Sequence, residues 1–210
     1  KAEQPHTLFI GSGFNYHLRE LSTENVQRKA VSKFIFPKEM VLAGYTTDLL
    51  GYGVNNFLSQ KATIFWGGEA HVQQGFSLSY QRNIFHTRKV FAMDWAAGIG
   101  IWRSKIKGEN FFTVSLNPVL HFNAIRTKPL DLFFEYSVAG PSFISKTKVD
   151  DVRLGRKFTF HDFMGLGVFA GKKRKLFAGL RIAHYSNGNL FPENDGVKVP
   201  LTLDLGYIIR

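Results

Sequence analysis

The sequence lacks several features that would place the protein in a common class. It has no cysteine, so disulfide frameworks and thiolate metal sites are excluded. It has no run of about 18 apolar residues, so we expect no transmembrane helix. It also has no HExxH motif and no glycine-rich nucleotide loop. We therefore expect neither a metal nor an organic cofactor.

Acidic residues are scarce beside basic ones, with 16 Asp and Glu against 27 Lys and Arg and a net charge of +11. Such a charge raises the question of nucleic-acid binding. The basic residues, however, cluster in short connectors between apolar segments and not along a helix or an aromatic platform. We expect no nucleic-acid partner. Basic residues at the rim of a membrane barrel would instead lie at the depth of lipid phosphates.

Residues 61–210 show a repeated alternation of apolar and polar side chains, which is typical of β-strands. The protein is also rich in aromatic residues, with 21 Phe, and has 20 Gly, which suits a barrel with aromatic girdles and glycine kinks. The pattern predicts an all-β fold, an eight-stranded antiparallel up-and-down transmembrane β-barrel. The predicted strands are residues 62–72, 75–85, 89–103, 110–124, 130–145, 157–170, 175–187 and 197–209.

The strands of a soluble lipocalin-like barrel also alternate apolar and polar side chains, and such a barrel is the main alternative architecture. It would surround a ligand with its apolar face and carry charge outside. The polar faces of this chain instead hold a small set of residues able to pair inside a narrow lumen, which eight strands leave too small for a channel. We expect buried salt bridges in this set, above all at Arg181. Its members are Asp94, His121, Glu135, Arg181 and Asp204.

Residues 1–60 differ from the rest because neither a period of 2 nor one of 3.6 is sustained in them. We predict an irregular N-terminal extension over 1–60, containing a strand or a helix, and a barrel over 61–210. An additional hairpin in the extension is the alternative. Lys1 is followed by polar residues, so the signal peptide of an exported protein would already have been removed.

The stretch KLFAGLRIAHYSNGNLFPENDG, residues 175–196, carries the candidate chemistry. Strand periodicity places His184 and Ser186 on an otherwise apolar, lipid-facing side of one strand. Same-face neighbours lie about 7 Å apart at Cα, so a histidine nitrogen can reach the serine hydroxyl and activate it. Asn187, Gly188 and Asn194 follow and offer donors for an oxyanion. A His-x-Ser pair alone is also common on ordinary surfaces.

The segment HYSNGNLFPENDG resembles the signature of the outer-membrane lipid A 3-O-deacylases, the PagL family. In that family His-x-Ser-Asn sits on the penultimate strand, and a Pro-x-Asn-Asp-Gly-like loop follows. The resemblance extends to FTFHDFMGLGVFAG, LFFEYSVAG and SLNPV, at residues 158–171, 132–140 and 115–119. It therefore covers roughly the last 150 residues and includes a specific local motif.

The resemblance does not extend to the acidic residue that orients the histidine in the family. In the family this acid follows the Asn-Asp-Gly turn, where this chain has Lys198 between two valines. Three options remain: an acid from the loop, Asp195 or Glu193 with Asp195 favoured; a Ser-His dyad alone; or an impaired enzyme. Alternation in the last strand predicts Lys198 on the polar face, away from His184.

The resemblance implies a serine esterase of the cell outer membrane that removes the 3-O-linked acyl chain from lipid A of lipopolysaccharide. Ser186 would be the nucleophile and His184 the base. The acyl position and the lipid come from the resemblance alone, whereas the residues themselves indicate ester cleavage at a membrane surface. The alternative is a catalytically weak or inactive barrel with a structural or lipid-binding role. The implied partners are lipopolysaccharide and the membrane, and a monomer and a homodimer both stay open.

Strand parity predicts the orientation of the barrel. If the last strand ends in the periplasm, residues 146–157 and 188–196 form external loops and residues 172–175 form a periplasmic turn. His184 and Ser186 then lie at the depth of the outer leaflet, where lipopolysaccharide resides.

Overall fold

The computed structural model of the protein describes residues 34–61 and 67–210. Most of the predicted N-terminal extension, residues 1–33, lies outside the described residues. The elements follow one another as β1 (Glu39–Thr47), a 3₁₀ helix (Asp48–Leu50), α1 (Gly53–Lys61), β2 (Ala70–His86), β3 (Phe91–Ser104), β4 (Asn110–Arg126), β5 (Leu130–Ile144), β6 (Lys148–Val149), β7 (Val152–Arg153), β8 (Phe158–Ala170), β9 (Leu176–Ser186) and β10 (Val197–Ile208).

Eight of these strands form a closed antiparallel barrel. Each of β1, β2, β3, β4, β5, β8, β9 and β10 pairs with the next, and β10 pairs with β1 to close the sheet. The short hairpin of β6 and β7 is a separate sheet within the connection from β5 to β8. The predicted fold class is confirmed.

The predicted start of the barrel is wrong. Residues 39–47, which the sequence predicts to belong to the extension, form β1, and β1 pairs with both β2 and β10. Of the predicted strand at 62–72, residues 62–66 lie outside the described residues, and Ala70 already begins β2. Strand β1 shows no alternation because Met40 and Leu42 enter an apolar layer of the lumen while Ala43 and Tyr45 face outward.

The lumen contains apolar layers and paired charges. The layer at one end consists of Met40, Leu42, Phe133, Phe169, Phe177 and Ile208. Arg181 Nη2 donates to Asp204 Oδ1 at 2.7 Å. His121, whose ring packs edge-on against Phe133, has its Nε2 3.1 Å from Asp94 Oδ2. Glu135 is also buried. The prediction that these charges lie inside the barrel, with Arg181 buried and paired, is confirmed.

The outer surface of the barrel is largely apolar, as expected of strands that face lipid. Large hydrophobic side chains are exposed on successive strands around the barrel, among them Phe76, Leu78, Trp95, Ile99, Ile101, Phe112, Val114, Leu116, Leu166, Leu180, Leu203 and Leu205. Within residues 34–61 and 67–210, no helix has the length and apolar character needed to cross a membrane.

The two ends of the barrel differ in their connections. One end, here called the loop end, carries the connections 48–69, 105–109, 145–157 and 187–196. The other, the turn end, carries the short connections 87–90, 127–129 and 171–175. Asp150 holds two of the connections of the loop end together, since it accepts hydrogen bonds from Ser104 Oγ (2.6 Å) and from Lys107 N (2.8 Å).

Substitution of Arg181 by Met should destabilise the barrel by about 3–5 kcal/mol, because it leaves Asp204 charged and buried without its partner. The double variant Arg181→Met/Asp204→Leu should recover much of that loss, because both charges are then removed. The measurement is the urea midpoint of the refolded protein. The folded fraction at each urea concentration is read from the mobility difference between heated and unheated samples on a gel. A double variant no more stable than the single one would contradict the pairing.

Candidate active site

His184 and Ser186 lie at the loop end of β9, on the outer face of the strand. The register of β9 with β8 is unbroken from Leu176 to Ser186, so residues two apart stay on one face. Leu176 and Leu180 on this face are exposed, while Arg181 on the other face points into the lumen. Strand geometry therefore places the histidine and the serine together on the outside.

Three charged or titratable side chains form a row across the outer face. His184 is the register partner of Asp162 in β8 and of Lys198 in β10. Register partners on adjacent strands point to the same face. His184 Nδ1 lies 3.6 Å from Asp162 Oδ2. The row thus places a carboxylate on one side of the imidazole and an ammonium-bearing side chain on the other.

Asp162 is held in place by a β-bulge in the neighbouring strand β5. The register of β5 with β8 shifts between Ser137 and Gly140, so two residues of β5 oppose Asp162. One of them, Ala139, has a positive φ of 54° and donates its backbone N–H to Asp162 Oδ1. The bulge turns a backbone donor toward the carboxylate, which leaves its second oxygen, Oδ2, on the side of His184.

A second bulge, in β10, corrects the predicted position of Lys198. The register of β10 with β9 shifts by one residue between Val199 and Thr202. Such a shift moves the side chains on its two sides to opposite faces. Lys198 therefore shares the outer face with His184, although Thr202 and Asp204 point into the lumen. The predicted separation of Lys198 from His184 is wrong because the extra residue of the bulge interrupts the alternation between Val199 and Thr202.

The bulge lies where β10 changes neighbours. On the turn-end side of the bulge, β10 pairs with β1. On the loop-end side, Val197 and Lys198 pair in parallel with Ala70 and His71 of β2. Thr46, near the end of β1, donates its hydroxyl to Pro200 O at 3.2 Å. Strand β1 leaves the barrel at this level, and the chain continues into the 3₁₀ helix and α1.

Helix α1 is anchored against the strands beside the site. Asn55 is fully buried and its Nδ2 donates to Val199 O at 2.9 Å. Tyr52, just before the helix, donates its hydroxyl to Val72 O. Burial raises the pKa of Tyr52 above its ordinary value, and the negative charge of Asp48 adds to the shift, so the hydroxyl stays protonated and remains a donor.

Helix α1 also reaches the lysine beside the site. Lys198 Nζ lies 3.4 Å from Asn56 Oδ1, and the lysine is buried. His184 is 1% exposed, and Ser186 is half-buried. In the same helix Phe57 remains 63% exposed. The pair thus lies in a covered part of the outer face, beside a helix that presents an apolar side chain to its surroundings.

The residues predicted to stabilise an oxyanion also organise the loop after β9. Asn187 donates its backbone N–H to Asn194 Oδ1 at 2.6 Å, and its buried side chain donates to Leu154 O at 3.3 Å. Asn194 Nδ2 donates to Asn189 Oδ1 at 3.0 Å. Gly188 has a positive φ of 62°, which glycine adopts without strain. The oxyanion role of Asn187, Gly188 and Asn194 stays a prediction.

The two acids predicted for the loop are placed elsewhere. Glu193 is exposed and pairs with Arg153, whose Nη1 lies 2.5 Å from Glu193 Oε1. Asp195 is exposed, and its backbone, not its carboxylate, fastens the loop: its carbonyl accepts from Glu69 N at 2.8 Å. The expectation that Glu193 or Asp195 approaches His184 is wrong. Among the residues that the structure describes, the carboxylate within ion-pair distance of the imidazole is that of Asp162.

Sequence reasoning missed Asp162, although the residue lies in the segment FHDFMG that carried part of the family resemblance. The sequence nevertheless contains a signal that pairs Asp162 with His184. Strands β8 and β9 form a hairpin, and in a hairpin residues equally far from the turn face each other. Asp162 and His184 are equally far from Lys173 in the connection 171–175, which predicts that they are partners.

Comparisons with known proteins agree with the fold and with the motif. The model of the lipid A 3-O-deacylase family (PagL) matches residues 74–203, which include Asp162, His184 and Ser186. The chain is 32% identical over 106 residues to the lipid A deacylase PagL of Pseudomonas aeruginosa. That match covers 50% of this chain and 58% of the relative.

A solved structure supports the architecture. The crystal structure of the outer membrane enzyme PagL superposes with a TM-score of 0.57 at 21% identity, covering 81% of this chain and 99% of the other. At that identity the likeness shows a common barrel fold. Because the family model matches more than half of the sequence, the chain belongs to the PagL family of lipid A 3-O-deacylases.

Proposed function

We propose that this protein is a serine esterase of the outer membrane that removes the 3-O-linked acyl chain from lipid A of lipopolysaccharide. The observation that carries the proposal is the position of His184 and Ser186, two residues apart on the outer face of β9. A nucleophile and its base on the outside of an apolar barrel suit an ester that is itself in a membrane. Family membership supplies the acyl position and the lipid.

The architecture supports placement of the site in the outer leaflet. Outer-membrane barrels carry short turns on the periplasmic side and longer loops outside. The site lies at the loop end, next to residues 187–196. Lipid A presents its ester bonds near its sugar headgroup, and the site therefore meets them at the outer membrane surface.

The reaction follows from the chemistry of the two side chains. Ser186 Oγ attacks the ester carbonyl carbon while His184 accepts its proton, and a tetrahedral oxyanion forms. Collapse of this intermediate breaks the bond to the sugar oxygen, which takes the proton from His184, and leaves the acyl group on Ser186. Water, deprotonated by His184, then releases the fatty acid and restores the serine. No redox change occurs.

The loop after β9 is the proposed source of the oxyanion donors. The hydrogen bonds of Asn187 and Asn194 keep the loop closed over the end of the strand. The backbone of Gly188 lies two residues beyond Ser186 and next to Phe160, the register partner of that serine. We assign the principal oxyanion contact to the N–H of Gly188, with the two asparagines in support.

Basic side chains of the connection 145–157 are the proposed contacts for the lipid phosphates. The guanidinium of Arg156 lies 4.7 Å from the ring centre of Phe191, and the ammonium of Lys157 lies 5.9 Å from that of Phe143. Stacking on an aromatic ring holds a cation without neutralising it. Arg153 is instead paired with an acid, so Arg156 and Lys157 are better suited to bind phosphate.

The alternative of an impaired barrel rested on the absence of an acid beside His184. Asp162 Oδ2 lies 3.6 Å from His184 Nδ1, and this carboxylate favours an active enzyme over that alternative.

The variants Ser186→Ala and His184→Ala should each lower deacylation by at least about 10³-fold, because neither the nucleophile nor its base can be replaced by a neighbour. Mass spectrometry of lipid A incubated with the purified protein measures the loss of one acyl chain. Ser59→Ala in α1 and His86→Ala at the turn end are matched controls and should keep their activity. Activity within a few-fold of the unmodified protein in either site variant would rule out the Ser-His centre.

The variants Glu193→Gln and Asp195→Asn should keep the deacylation rate within about 10-fold. Glu193 loses an exposed ion pair, which contributes about 0–1 kcal/mol, and Asp195 holds the loop through its backbone. Initial rates on lipid A in detergent micelles test this expectation. A fall of several orders of magnitude in Asp195→Asn would return the orienting acid to the loop.

A further inference from the structure

We propose that Asp162 of β8 is the positioning residue for His184, so that this protein carries its orienting acid on the strand before the catalytic one. The inference rests on the proposed function in that it assumes a reaction at Ser186 in which His184 takes up a proton. Asp162 takes the role that Lys198 cannot fill, while Glu193 pairs with Arg153 and Asp195 is exposed.

The first support is the geometry of the carboxylate. Asp162 Oδ1 accepts the backbone N–H of Ala139, and Oδ2 lies 3.6 Å from His184 Nδ1. An N–H···O hydrogen bond measures about 2.7–3.2 Å, so an approach of roughly half an ångström completes it. Catalytic hydrogen bonds are often long without substrate and shorten when substrate binds. One oxygen is thus fixed by backbone, and the other is available to the imidazole.

The second support is that, among the residues that the structure describes, no other acid forms an ion pair with His184. The other register neighbour of His184 is Lys198, whose ammonium cannot accept a hydrogen bond from Nδ1. A cation on that side also disfavours the imidazolium that forms during the reaction. Glu193 is paired with Arg153 on the surface. The carboxylate of Asp162 is therefore needed to balance the lysine as well as to orient the ring.

The third support is burial. In the part of the chain that the structure describes, the ion-pair partner of Asp162 is His184, and their side chains are 16% and 2% exposed. Electrostatic interactions weaken less with distance in such a partly desolvated place than in water. A carboxylate there stabilises a neighbouring positive charge more than a carboxylate on an exposed loop does. Asp162 accordingly acts on the same charge that His184 acquires in the transition state.

Asp162 thus fixes the tautomer of His184 and stabilises the positive charge that the imidazole acquires. With Nδ1–H donating to Asp162 Oδ2, the lone pair of His184 stands on Nε2 and is available to the Ser186 hydroxyl. The carboxylate then stabilises the imidazolium after proton transfer, without itself taking the proton. No bond to Asp162 forms or breaks in the reaction.

The decisive substitution is Asp162→Asn, which keeps the oxygen that accepts from Ala139 and removes the charge. Two measurements are made on the refolded variant: kcat and KM for deacylation of lipid A, and the rate at which a fluorophosphonate probe labels Ser186. In a serine triad, the corresponding change lowers kcat by about 10⁴-fold. We expect a loss of about 10³ to 10⁴ in kcat, a parallel loss in labelling rate, and KM within a few-fold.

Two further variants separate orientation from structure. Asp162→Glu restores a carboxylate and should exceed Asp162→Asn in kcat by at least about 10-fold. Asp151→Asn removes an exposed carboxylate of the connection 145–157 and should change neither kcat nor labelling. The mobility shift between heated and unheated samples reports whether each barrel is folded. A purely structural role would lower the folded fraction and leave the labelling rate of folded protein unchanged.

The outcomes are distinct. Folded Asp162→Asn with kcat and labelling within about 10-fold of the unmodified protein would overturn the proposal, as would equal activities of the folded Asn and Glu variants. If the unmodified protein labels at Ser186 but leaves lipid A intact, the proposed function fails. The labelling rates of the Asp162 variants then still decide whether Asp162 positions His184.

Discussion

Closure of the sheet is the constraint on which the rest of this structure depends. Each of the eight barrel strands must satisfy its backbone hydrogen bonds with two neighbours, because lipid offers no alternative partner. Closure therefore sets the register of every strand pair, and register decides which side chains stand side by side. The row of Asp162, His184 and Lys198 is a product of this register, since its members come from three strands.

Two β-bulges adapt this regular frame to the chemistry of the site. The bulge in β5 turns the N–H of Ala139 toward Asp162, and the bulge in β10 moves Lys198 to the face of His184. Both lie next to the same row, on either side of it. Bulges re-aim side chains without breaking the sheet, and so they can vary the groups around a histidine while the barrel is kept.

The segment between β1 and β2 lies beside the site. Strand β1 ends on the turn-end side of the row of Asp162, His184 and Lys198. Beyond that point α1 packs against β10 through Asn55 and Asn56. His184, in the neighbouring strand β9, is also buried. The barrel interior is separate: it holds the Arg181–Asp204 pair and apolar layers that stabilise the fold.

The sequence by itself determined the strand class, the internal charges, and the placement of His184 and Ser186 on one face, because each depends on a local period of two. The predicted total of eight strands agrees with the structure, although the prediction counts 62–72 and 75–85 separately and omits β1. The sequence also indicated the family through the motif around Ser186. The tertiary structure alone decided that β1 belongs to the barrel, since both faces of that strand are apolar. It likewise decided on which face Lys198 lies. These two results depend on strand pairing between distant segments and on a bulge, which shifts parity without a periodic signal. The pairing of Asp162 with His184 was readable from their equal distances to the turn between β8 and β9, once that hairpin was recognised.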